Sequence, residues 1–358
     1  MRSLTGVRGV AALWVYLYHI SNAAFGLGLP GLAALPLVRF GWAGVDLFFV
    51  LSGFVLMHAH AADFTPWNSV RLERFLKLRI ARVYPLSLVA LGLVLLIVLA
   101  DPAFAAWFRA QAPGNLSAAA FVKTALLATR WGVPVAGEWN EPVWSLSAEL
   151  VGYAAFPFLA HALGRTRGFW APLALAGLSL ALLFGFQLAT RTAGENYFDL
   201  HSALIRMACG LAAGAALSAA FANAPAWMAR AAGPLSLVAV ALIAAGGFVP
   251  GLVVAAPLGF AILVFALAFQ SGPVNAVLAS GPVLALGRIS FPLYLIHVMP
   301  LMALRHWAIV HEPEPVVAAA ALAACVAISL GLAALLHIWV ERPAQAWGRR
   351  WAGPAVPT

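Results

Sequence analysis

The chain has 358 residues, of which 63% are hydrophobic and only 9% charged, against about 25% charged in an average soluble domain. A mean hydropathy of +0.93 exceeds what a soluble core needs, so a soluble globular domain is excluded and an all-α polytopic membrane protein is expected. The net charge of +9 comes from 19 Arg and 2 Lys, most of them at the ends of apolar segments, which points to Arg-rich cytoplasmic loops and not to a nucleic-acid partner.

Taken in chain order, apolar segments of spanning length fall at about 7–25, 41–60, 84–101, 143–163, 170–190, 198–220, 234–249, 251–270, 286–304 and 315–339. Together they predict about ten transmembrane helices. The seventh is short, and the junction "GGFVPG" separates it from the eighth. The stretch "LSAAAFVKTALLATRW", 116–131, is apolar on one side only and reads as an interfacial or re-entrant helix. With the N-terminus inside, 14 cations fall on the inner side and 6 (Arg39, Arg109, Lys123, Arg130, Arg191, Arg305) on the outer side, with Arg206 inside a span. That bias and an even number of spans predict cytoplasmic termini. The expected organisation is an integral-membrane domain over 1–345 and a short cytoplasmic tail over 346–358, with no appended soluble domain. Gly210 and Gly214 form a small-xxx-small pair, a signal for close helix packing. Cys209 and Cys325 lie inside apolar segments and read as small buried hydrophobes.

The first 25 residues have the outline of a signal peptide, with Arg2, Arg8, an apolar run and "SNAAF". Trp14, Tyr16, Tyr18 and His19 are too bulky and polar for that, so a retained span is expected. Arg8 and His19 are eleven residues apart. On an α-helix that separation closes to within about 20° of three full turns and spans about 16 Å. Both side chains therefore lie on one face, Arg8 at the cytoplasmic end and His19 past mid-depth. Ionisable side chains inside a span are functional candidates, and an imidazole accepts protons near neutral pH.

In the second span, "GVDLFFVLSGFVL", Asp46 is placed near the outer end, where a carboxylate would orient His19; Ser52 and Gly53 interrupt the aromatic run. "RLERFLKLRIARVYPL" sets Arg71, Arg74, Lys77 or Arg79, and Arg82 three and four residues apart, a basic helical stripe at the inner surface. It suits either anionic lipid or a phosphorylated substrate held by guanidinium forks. Pro85 restricts Tyr84 and marks the entry to the third span. In "EWNEPVWSLSAELVGY", Trp139 and Trp144 fit an interfacial belt, and Glu149 is placed at the depth of His19. In "LGRISFPLYLIHVMPL", Arg288 enters from inside and His297 lies near mid-depth, where it would line the same cavity. His58 and His60 point apart on a helix, so no metal pair is expected, and no GxSxG, Walker A or HExxH motif is present.

Five motifs in order, "RGVAALWVYLYH", "GVDLFFVLSGF", "RIARVYPL", "WSLSAEL" and "ISFPLYLIH", resemble those of the bacterial membrane-bound acyltransferase-3 family of O-acyltransferases. The resemblance runs from residue 8 to residue 297. It implies about ten transmembrane helices in the bacterial inner membrane, a cytoplasmic acyl-CoA donor, and functional positions at Arg8, His19, Arg79, Arg82 and Glu149. The chain departs from the pattern at Phe291-Pro292, where a Tyr or Ser is commoner.

On this footing Arg8, Arg79, Arg82 and Tyr84 would bind acyl-CoA, with its pantetheine arm threading toward His19. His19 would act as general base on an acceptor hydroxyl, oriented by Glu149 and Asp46. Ser52, Trp144, Ser145, Tyr294 and His297 would line the substrate cavity. Acyl-CoA, with acetyl the default, is the donor substrate and no tightly bound cofactor is expected. The acceptor would be a carbohydrate or lipid-linked hydroxyl. A covalent acyl-His intermediate stays open, as does a transporter or flippase, which would also place ionisable residues at mid-depth.

Overall fold

The computed structural model describes residues 1–29, 31, 34–131, 137–190 and 200–354. Among these the chain is helical, without strands. Its helices are α1 (Arg2–Gly26), α2 (Pro36–Arg39), α3 (Gly44–His60), α4 (Ser69–Ala100), α5 (Pro102–Gln111), α6 (Ala118–Ala125), α7 (Val143–Leu163) and α8 (Trp170–Thr190). They are followed by α9 (Leu200–Ala222), α10 (Ala226–Phe248), α11 (Ala256–Ala268), α12 (Gly272–Leu278), α13 (Gly281–Ile296), α14 (Val298–His311), α15 (Pro315–Leu336) and α16 (Arg342–Trp351). Arg191, placed on the outer side above, lies outside the described residues.

Among the described residues each of the ten predicted segments is largely helical, but eight helical stretches are long and apolar enough to cross a membrane, or nine if the bent α12–α13 pair is one span. α1 is not among them: Arg8, His19 and its aromatic hydroxyls lower its apolarity, and it is held by protein contacts. The ninth predicted span, 286–304, is interrupted at His297, between α13 and α14; ahead of it α12 and α13 meet at 64°. At "GGFVPG" α10 ends at Phe248, and Pro250–Ala255 forms a 3-10 turn leading into α11. The stretch 116–131 contains only the eight-residue α6, capped by the Ser117 hydroxyl.

Pro85 does not begin a helix. α4 runs unbroken from Ser69, with Asn68 capping its first turn, to Ala100. Neighbouring helices satisfy the backbone around a proline in a membrane helix, so the basic stripe and the third span are one rod. Residues 346–351, expected in a tail, belong to α16, which packs on α4 and stacks Trp347 on Trp351.

α3 lies at the centre, with 78% of its spanning window buried; α8, at 17%, is peripheral and turns Leu178, Leu182 and Leu188 outward. Two glycine contacts set the central spacing. A Cβ on Gly9 would lie 2.5 Å from the Gly287 nitrogen, and one on Gly214 would lie 1.9 Å from the Val50 oxygen. Only glycine lets α1 meet α13, and α9 meet α3, at backbone distance. The Gly210/Gly214 pair therefore does pack, against Phe49, Val50 and Phe54 of α3. Cys325 is buried and Cys209 half-buried, both as free thiols.

Candidate active site

Three neighbouring spaces lie among α1, α3, α4, α7, α9, α13 and α14. The first, about 300 Å³, is lined by Arg8, Arg79, Arg82, Ser52, Glu149, Ser145 and Tyr294, among others. Helix periodicity explains its walls. Val45, Phe48, Phe49 and Ser52 form an i, i+3, i+4, i+7 stripe on α3, and Ser145 and Glu149 stand four apart on α7. Arg79 and Arg82 are three apart on α4. The Arg79 guanidinium lies over the rings of Phe75 (5.5 Å) and Tyr153 (5.9 Å), and the Nε atoms of Arg8 and Arg79 are buried without a partner. Three guanidiniums against one carboxylate give the cavity an excess of positive charge suited to phosphate.

Two other residues of the basic stripe are used elsewhere. Arg71 donates to the Ala62 carbonyl at 2.9 Å. Lys77 pairs with Glu73 at 2.6 Å and lies over the Trp351 ring. Tyr84, expected in the acyl-CoA site, lines none of the three spaces: its hydroxyl donates to the Leu126 carbonyl at 3.0 Å and ties α4 to the turn after α6.

The second space is a chamber of about 20 Å³. Val15, His19, Val45, Trp144, Tyr294 and His297 wall it, with Trp42, Glu141 and Arg206 also present. It shares Val45 and Tyr294 with the first cavity. The third space is a vestibule of about 220 Å³ bounded by Tyr18, His19, Asn22, Glu141, Met302 and Arg305, among others. Chamber and vestibule share Tyr18, His19 and Glu141. Arg8 and His19 thus open onto different spaces from one face of α1, two cavities that each share walls with a narrow chamber between them.

The carboxylates assigned to His19 are elsewhere. Asp46 accepts a 2.8 Å hydrogen bond from Arg206 Nε, with both side chains buried. The Arg206 guanidinium in turn lies 5.3 Å from the Trp144 ring centre. Glu149 accepts from the Ser52 hydroxyl at 2.6 Å and faces the arginine cavity. Asp46 and Ser52 are six residues apart, about 120° around α3, so one points to α9 and the other to the cavity. Among the described residues no carboxylate is hydrogen-bonded to His19.

His19 meets a second imidazole instead. The rings of His19 and His297 are 4.8 Å apart, centre to centre, at 63°. His297 Nδ1 lies 2.8 Å from the Tyr294 carbonyl and 3.2 Å from that of Leu293. A carbonyl only accepts, so Nδ1 carries the proton and Nε2 presents a bare lone pair. That Nε2 is buried without a hydrogen-bond partner. Tyr294 and His297 are three apart on one face; the Tyr294 hydroxyl is 2.7 Å from Ser145 Oγ.

Sequence reasoning passed over three residues. Arg206 was noted only as lying in a span, although a lone buried guanidinium demands a carboxylate such as Asp46. Glu141, next to Pro142 at the mouth of α7, borders both spaces that His19 borders; burial raises its carboxyl above the ordinary range, partly offset by Arg130. Glu341 sits in a π-turn at the end of α15, accepts from His337 (2.7 Å) and Gln345 (3.0 Å), and places a negative charge within electrostatic reach of Arg8.

A family model described as an acyltransferase domain, that of acyltransferase-3, matches residues 1–334. The chain is 32% identical over 192 residues to acyltransferase MdmB of Streptomyces mycarofaciens, covering 51% of this chain and 46% of that protein. It is 35% identical over 161 residues to protein 2 in the picA locus of Rhizobium radiobacter, covering 43% of this chain and 78% of that one. The match thus spans less than half the length of MdmB. No solved structure matches. With its multiple apolar helices and a single family model spanning almost all of its length, the chain belongs to the acyltransferase-3 family of membrane proteins.

Proposed function

We propose that this protein is an O-acyltransferase of the bacterial inner membrane that moves an acyl group from cytoplasmic acyl-CoA to the hydroxyl of a carbohydrate or lipid-linked acceptor. One observation carries the reading: a single helix presents a guanidinium to one cavity and an imidazole to another, and both cavities share walls with a small chamber between them. Family membership and the name of MdmB support the transfer chemistry.

Arg8, Arg79 and Arg82 hold the coenzyme A phosphates. The pantetheine arm lies along the stripe of α3 and reaches Tyr294 and Val45, which brings the thioester to the edge of the chamber. The acceptor hydroxyl enters from the vestibule. His19 takes its proton while the oxygen attacks the thioester carbon. The tetrahedral intermediate collapses with cleavage of the C–S bond, and the imidazolium returns the proton to the departing thiolate. In this reading His297 takes the part that a carboxylate plays in a hydrolase triad: its Nε2, unpartnered in the structure and on a ring 4.8 Å from that of His19, accepts the His19 ring N–H in the reacting complex and fixes the reactive tautomer. Transfer is direct, within the complex of both substrates.

The test is thiol release from acetyl-CoA by the purified full-length protein in detergent, with methyl glycosides as acceptors. His19→Ala is expected to lose about 10²–10⁴-fold in turnover, whereas Arg79→Ala and Arg82→Ala mainly raise KM for acetyl-CoA. Near-normal turnover by His19→Ala refutes the mechanism. Binding of acetyl-CoA with no thiol release under any acceptor supports transport instead.

A further inference from the structure

The chamber beside His19 is far smaller than the spaces on either side of it, at about 20 Å³ between cavities of about 300 and 220 Å³. The chamber is therefore the narrowest point between the two cavities, with room beside His19 for a small group and far less than either neighbour offers. Its walls are held from behind. Trp144 is backed by the Arg206 guanidinium, which the buried Asp46 fixes at 2.8 Å. Tyr294 is tied to Ser145 at 2.7 Å and His297 to two backbone carbonyls. Val15 is 2% exposed and Val45 5%. Swinging any wall aside breaks a buried polar contact or vacates a packed site.

We propose that Val45, Val15 and Trp144 form an acyl-length stop that restricts the donor to acetyl-CoA. This rests on the acyl-transfer reading above. With the sulfur at the Tyr294–Val45 constriction and the carbonyl carbon facing His19, the acyl methyl fills the chamber. A longer tail has two courses. It drives into Val15 and Trp144, or it turns into the vestibule and occupies the place of the acceptor. Both stop transfer without weakening the hold on coenzyme A, because the arginines are in the other cavity.

The experiment compares thiol release from acetyl-CoA, propionyl-CoA and butyryl-CoA by the full-length protein in detergent, with a fixed panel of methyl glycosides and water as acceptors. One methylene against a closed apolar wall is worth about 10–200-fold. Propionyl-CoA is therefore expected to turn over at least about tenfold more slowly than acetyl-CoA, with the loss in kcat and little change in KM. Val45→Ala is expected to narrow that ratio by about tenfold; Val15→Ala, on a different helix, provides the same readout if the first variant does not purify folded. Equal turnover of acetyl- and butyryl-CoA by the wild-type protein overturns the inference while leaving acyl transfer intact. A ratio unchanged in a folded, active Val45→Ala or Val15→Ala variant overturns the role of that wall. Absence of thiol release from all three donors overturns the acyl-transfer reading and this inference with it.

Discussion

Asp46 and Arg206 distinguish the structure from the role that sequence alone assigns to Asp46. If Asp46 oriented His19, Asp46→Ala would reduce turnover and leave stability nearly unchanged, and Arg206 would be irrelevant. In the structure the two form a buried ion pair at 2.8 Å, with side chains 4% and 2% exposed. Removing one partner leaves an uncompensated charge inside the bundle, which costs about 3–5 kcal/mol. With an unfolding entropy of about 2.1 cal/mol/K per residue, a chain of this length loses about 4–7 °C in Tm. Asp46→Ala and Arg206→Ala should each show that loss by intrinsic tryptophan fluorescence in detergent. The double variant Asp46→Leu/Arg206→Met should recover most of it, because a well-packed apolar pair replaces a buried ion pair at little net cost. Additive losses in the double variant, or wild-type melting of either single alanine variant, would refute the pairing.

Two further outcomes follow from the same geometry. Burial pushes the Glu138 carboxyl up from 4.5 to about 7 despite its 2.9 Å pair with Arg130. Between about pH 4.5 and 7 the unfolded chain has released this proton and the folded chain keeps it, so stability falls as pH rises through that window and levels off above it, by at most about 3 kcal/mol. Glu141, raised in the same direction, adds to the slope. Melting curves at pH 5 and 8 should therefore differ, and Glu138→Gln should shrink the difference; a wild-type Tm that rises over this range contradicts the sign. His297→Phe keeps a ring in the chamber wall but removes Nε2, and is expected to lower kcat about 10–100-fold, the scale of losing a group that orients a functional imidazole, with KM for acetyl-CoA unchanged. A fall confined to KM would assign His297 to donor binding instead.

The ten helical segments were readable because lipid imposes a single demand, a run of apolar residues long enough to satisfy its own backbone. That demand says where a helix is, and little about how it is turned or broken. α4 reads as a loop helix followed by a span because Pro85 is a helix breaker in water, whereas inside a bundle it is accommodated. The interruption at His297 has no glycine to announce it, and it frees the ring to bond back to the Tyr294 carbonyl. α1 is the opposite case. Its polar content removes it from the set of helices apolar enough to span, yet the eleven-residue spacing of Arg8 and His19 correctly puts them on one face and at different levels.

The site was legible within helices and illegible between them. Spacing along one helix groups Arg79 with Arg82, Ser145 with Glu149, and Tyr294 with His297, and each pair does border a common space. Which of these groups meets His19 depends on the rotation of neighbouring helices, and that is set by glycine contacts such as Gly9 on Gly287 and Gly214 on Val50. Depth alone made Asp46 and Glu149 look equivalent as partners of His19. A rotation of about 120° around α3 separates the Asp46 face from the Ser52–Glu149 face, and each carboxylate is then claimed by a nearer donor, Arg206 in one case and the Ser52 hydroxyl in the other. Once both are engaged, the group that meets the His19 ring is a second imidazole with a fixed tautomer, and Glu141 borders the same chamber with its carboxyl raised by burial. A neutral partner has a physical consequence. A neutral acceptor adds no second buried anion to a chamber that Glu141 already borders, and so avoids the desolvation cost of one.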